Sequence, residues 1–108
     1  MRLKVTVEDR TQVVEVPAHV LEEGEEFFAK MDRDMDGGWQ MSRVWVDSPT
    51  RVNRCQIAAD RLLAALEAGN EPMTLMMAGY ILARMPDTTG VLISADGEMQ
   101  ETEILTGG

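Results

Sequence analysis

Leu3, Val5 and Val7 alternate with Lys4, Thr6 and Glu8, the two-residue period of a strand with one buried face. Beyond Asp9-Arg10, a second β-rich run from Thr11 to Val16 stops at Pro17. Two such runs across a short polar link predict an antiparallel hairpin. The opposite end repeats the arrangement: Val91 to Ser94 and Met99 to Leu105 flank Asp96-Gly97, a pair that accepts the positive φ angles of a tight hairpin turn. Between the two hairpins the period becomes helical. Val20, Leu21, Phe27, Phe28 and Met31 share one face, opposite Glu22, Glu23, Glu25 and Glu26, with Gly24 on the apolar side where another backbone could approach closely. Ser48 and Pro49 have the chemistry of a helix cap and first turn. They predict a second helix with a core stripe of Val52, Cys55, Ala59, Leu62, Leu63 and Leu66, ending at Gly69.

The third helix is predicted from Pro72 to near Met85. Met73, Met76, Met77, Tyr80 and Ile81 lie on one side, and Leu75, Ala78, Leu82 and Met85 on the other. A helix apolar all round must be covered all round, so it is either the central core helix or half of an interface. The fold expected is α+β in a single domain over residues 1–108. It has an N-terminal hairpin, three helices and a C-terminal hairpin, with the two hairpins sharing one four-stranded sheet. The pairing order within that sheet is not readable from the sequence.

Composition narrows the functions. The chain has 108 residues, with 19 acidic and 10 basic side chains and a formal net charge of −9. Binding a nucleic-acid backbone requires clustered Lys and Arg, so no nucleic-acid partner is expected. The apolar run Met73 to Met85 has 13 residues, against about 20 for a bilayer span, and no signal-peptide pattern precedes it. The expectation is a protein of the reducing cytoplasm, not a membrane protein, in which the single cysteine, Cys55, forms no internal disulfide.

The strongest local motif is Asp32-Arg33-Asp34-Met35-Asp36-Gly37. It resembles the first half of the EF-hand calcium loop, in which alternating carboxylates converge on the ion and a glycine permits the sharp turn. Phe27, Phe28 and Met31 suit the entering helix of that family, and Trp39 stands at its hydrophobic eighth position. The resemblance covers about Val20 to Val46. It implies a Ca²⁺ site at Asp32, Asp34 and Asp36 with Gly38 and Gln40, placed in a loop after the first helix. Three departures limit it: Arg43 replaces the bidentate glutamate at position 12, the exiting helix from about Met41 to Val46 is short, and there is no second loop. Three readings stand side by side. The loop binds Ca²⁺ weakly, or Arg43 folds over it as a built-in counterion, or it is a solvated acidic turn.

The terminal Gly107-Gly108, following a hairpin, is similar to the end of ubiquitin-like sulfur carriers of the β-grasp type, which implies adenylation and thiocarboxylate formation at the last glycine. A frayed tail has the same sequence. Arg51, Arg54 and Arg61 line one side of the second helix, either as a stripe for an anionic partner or as a solvated face. His19 and Cys55 lack any neighbouring nucleophile motif, so no enzyme is expected. The nine methionines suit an adaptable contact surface as well as an irregular core. The leading expectation is therefore a small acidic regulatory or adaptor protein that binds another protein through a Met-rich apolar surface, with Ca²⁺ as the one cofactor expected. The alternatives are the diglycine carrier and a structural homodimer built on the helix from Met73 to Met85.

Overall fold

In the computed structural model, which describes residues 1–107, both ends of the chain enter one sheet. The N-terminal hairpin consists of β1 (Arg2–Val7) and β2 (Arg10–Glu15), and the C-terminal strands are β5 (Thr88–Ile93) and β6 (Glu103–Thr106). The order across the sheet is β2-β1-β5-β6. The β1–β2 register runs unbroken from Arg2 opposite Glu15 to Val7 opposite Arg10. β1 pairs parallel with β5, Val5 facing Val91 and Val7 facing Ile93. Alternation does what the sequence requires of it: Leu3, Val5, Val14, Val91 and Ile93 are buried, while Lys4, Thr11 and Val13 point away. The C-terminal connection is longer than a tight turn. Gly97 takes the left-handed φ of +78°, but a 3-10 turn at Met99–Glu101 intervenes and β6 starts only at Glu103.

Four helices, not three, connect the hairpins: α1 (Ala18–Glu23), α2 (Glu25–Asp36), α3 (Arg51–Ala68) and α4 (Glu71–Arg84). The predicted first helix divides at Gly24, a position whose packing admits only glycine. A Cβ there would lie 2.5 Å from the Val20 carbonyl oxygen and 2.8 Å from the Phe28 ring. Phe28 is fully buried between Gly24 and Gly79, edge-on to Tyr80 with ring centroids 6.0 Å apart. α3 starts at Arg51 because Thr50, not Ser48, is its cap: Thr50 and Asn53 exchange side-chain and backbone hydrogen bonds in a capping box. Val52, in the first turn, is exposed and lies outside the buried stripe. Gly69 closes α3 in the left-handed conformation, and Asn70 caps α4.

The acidic segment expected as a loop is helix. α2 continues through Asp36, and the turn is confined to Gly37 and Gly38. Met31 and Met35, one turn apart, are both buried in the core. They hold this stretch in helical register against the loop preference of Asp and Gly. The expected exiting helix, Met41 to Val46, is instead a second small hairpin, β3 (Trp39–Met41) and β4 (Val44–Val46). Val44-Trp45-Val46 is a run of strand formers, and Ser42 at φ +59° makes the turn.

Candidate interaction site

The residues expected to hold a cation are divided among different partners. A helix turns about 100° per residue, so Asp34 points away from Asp32 and Asp36. It pairs instead with Lys30, at 3.1 Å on the exposed face. Asp32 faces inward and is shared by three side chains from two helices, α3 and α4. Arg84 Nε donates to Oδ2 at 2.8 Å, the Tyr80 hydroxyl donates to Oδ1 at 2.5 Å, and Arg54 Nη1 reaches Oδ1 at 3.3 Å. Arg54 continues to Asp36 at 2.9 Å and donates from Nε to the Pro49 carbonyl. Arg84 grips Glu25 with both terminal nitrogens, at 3.0 and 2.9 Å. The counterions of the aspartates are therefore Arg54 and Arg84. Arg43 lies away from them, with its nearest carboxylate Glu98 at 3.7 Å. Gly38 packs under the Trp45 ring, and Gln40 donates to the Ser42 carbonyl. Among the described residues no three acidic, histidine or cysteine side chains converge as a metal cage.

The electrostatics follow from these contacts. Burial pushes the Asp32 carboxyl up, but the hydrogen bonds from Tyr80 and Arg84 outweigh it and hold Asp32 below the ordinary carboxylate range. The same burial, with the bond to Asp32, raises Tyr80. Arg84 lowers Glu25 through its hydrogen bonds. Every nitrogen of the two guanidiniums has a partner inside the molecule, so this cluster is a clasp joining α2, α3 and α4. Titrating Ca²⁺ into the millimolar range is expected to leave the amide resonances of residues 32–38 and Trp39 fluorescence unchanged. Saturable shifts there would show that Asp32 and Asp36 exchange Arg54 for the cation.

Most of the methionines are wholly or partly covered. Met31, Met35, Met41 and Met77 are buried, Met73, Met76, Met85 and Met99 are half-buried, and Met1 alone is exposed. Cys55 is buried too, its thiol pushed up to about 12 by desolvation, as expected of a small core hydrophobe. The penultimate glycine of the diglycine end extends the sheet: Gly107 N–H donates to the Asp87 carbonyl at 2.9 Å. Gly108 lies outside the described residues.

Two of the exposed apolar side chains belong to the small hairpin. Trp45 is 55% exposed and Val44 50%, yet Trp45 is held in place. Its ring lies against Gly38, where a Cβ would come within 2.4 Å of the indole, and Nε1 donates to Asp47 at 2.7 Å. The hairpin turn is also docked. Ser42 Oγ donates to the Gly97 carbonyl and accepts from Met99 N–H at 2.9 Å. Sequence reasoning missed this site by reading Met41 to Val46 as helix; the β-branched, aromatic run was the available signal. Compared with known protein families, curated proteins and solved structures, the chain matches none.

Proposed function

We propose that the chain is a non-enzymatic adaptor of the cytoplasm that binds another protein by seating Trp45 in an apolar depression of its partner. The observation that supports this reading is an indole more than half exposed and yet fixed by Gly38 and Asp47. A tryptophan of this kind loses little conformational freedom on binding and brings a large apolar area. The net charge of −9 favours partners with basic surfaces and speeds their encounter. The adaptor role is the one expected from the sequence, with the contact surface moved from the methionine helix to the hairpin.

The test compares partners retained by immobilised wild-type protein with those retained by Trp45→Ala. Because Trp45 is largely exposed, the substitution is expected to cost about 1 kcal/mol of stability or less. It should weaken capture of the specific partner by at least about tenfold. Identical retention by the two baits would discard the reading.

A further inference from the structure

We propose that two copies of this chain join through the edge strand β2, pairing antiparallel about a two-fold axis at Val13 to form one eight-stranded sheet. β2 is the outer strand of the sheet, and its backbone shows which groups face outward. Met1 and Val16 exchange both hydrogen bonds, Val16 N–H to the Met1 carbonyl at 2.7 Å and the Met1 amine to the Val16 carbonyl at 2.8 Å. Antiparallel ladders alternate bonded and non-bonded pairs. In this register Leu3/Val14, Val5/Gln12 and Val7/Arg10 are thus the other bonded pairs, and the N–H and C=O groups of Thr11, Val13 and Glu15 point away from β1. All three residues are exposed.

This edge has its charges, Arg10 and Glu15, only at its two ends and lacks the other usual protections of a natural edge strand. It carries no proline, lysine or bulge, and its register with β1 is regular throughout. The outward-facing triad is centred on Val13, so the one two-fold register that uses all of it sets Val13 against Val13 and Thr11 against Glu15. Val13, 55% exposed in the single chain, is then covered by its own counterpart. On the inner face the same register brings Val14 of the second copy opposite Gln12. Gln12 stands at the mouth of a groove of about 420 Å³ with an apolar floor of Val5, Val7, Leu63 and Leu66.

Charge selects the second copy as occupant and β2 as the edge. Residues 1–16 contain three basic and three acidic side chains, a neutral pole on a molecule of charge −9, so two copies meet there with the least repulsion. The opposite edge is unsuited to self-pairing: residues 88–107 carry four acidic side chains and no basic one.

Sedimentation equilibrium of the full chain is expected to show a monomer–dimer equilibrium at sub-millimolar concentration. Isotope-filtered NMR on mixed labelled and unlabelled protein should give intermolecular contacts between Gln12 and Val14. Val13→Pro removes one outward N–H while leaving the bonds to β1 in place. Val13→Lys, which has no proline strain, sets two cations face to face. Each is expected to raise the dimer dissociation constant by at least about tenfold, with circular dichroism and thermal unfolding confirming the fold, whereas Trp45→Ala remains dimeric. A wild-type monomer at every concentration overturns the proposal, as does a dimer that survives both Val13 substitutions. So does a wild-type monomer that captures a foreign protein only while Val13 is intact, since another polypeptide then occupies the edge.

Discussion

Replacing Phe28 with alanine is expected to lower the unfolding free energy by about 4 kcal/mol, the largest effect of any single truncation considered for this chain. Phe28 is completely buried, and its environment is built around its ring. Gly24 and Gly79 lie so close that a Cβ on either would come within about 3 Å of it, at 2.8 and 3.0 Å. Tyr80 and Phe27 meet it edge-on, and the Arg84 guanidinium lies 5.9 Å from its centroid. The two glycines have no side chains with which to fill the vacated space, so the cavity persists and the cost stays near the upper part of the range for such truncations. For a domain of this size that corresponds to a fall in melting temperature of roughly 15–25 °C. Thermal unfolding followed by circular dichroism measures it. A fall of less than about 5 °C would show that α1 and α4 collapse freely onto the site.

Asp32→Ala is expected to be the most damaging polar substitution, at about 3 kcal/mol. It leaves Tyr80, Arg54 and Arg84 without their shared acceptor, and both arginine side chains are mostly buried. Asp32→Asn, which keeps the shape but not the charge, should recover part of the loss by accepting from one donor. The carboxylate also sets a pH dependence. Asp32 and Glu25 have folded-state pKa values below their ordinary ones, so the folded state holds these protons less readily than the unfolded chain. Their contribution is complete above the unfolded values, near 4, and is lost as pH falls through the folded ones. Wild-type stability should therefore decline below about pH 4, and Asp32→Ala should flatten that part of the profile. Unfolding in urea at a series of pH values reads both; parallel profiles for the two proteins would show that Asp32 does not anchor the clasp.

What could be read from the sequence, and what could not, divides along one physical line. Elements whose periodicity agrees with their burial were legible: β1 and β2, the core of α3, and α4, whose apolar circumference matches its central position. The acidic segment was misread because its composition carries two messages. Asp32, Asp34, Asp36 and Gly37 describe a cation-binding loop, while Met31 and Met35 describe a helix. The helix prevails because Arg54 and Arg84 arrive from elements 22 and 52 residues away. Nothing local announces such partners. The Trp45 hairpin was missed for the opposite reason. Three-residue strands are too short for a period to show, and the hydrogen bonds of Ser42 that dock the turn span 55 and 57 residues.

The parallel pairing of β1 with β5 has a consequence for how the molecule comes into being. Lys4 meets Gly90, 86 residues further along the chain. On a ribosome adding about 5–20 residues per second, the first hairpin waits roughly 4–17 seconds for its neighbour. During that interval both long sides of the hairpin are open, and an isolated two-stranded ribbon is at best marginally stable. The helices α3 and α4, whose contacts with each other are local, are free to assemble first. Closure of the sheet then comes as a late, slow event, when aggregation competes most strongly with folding.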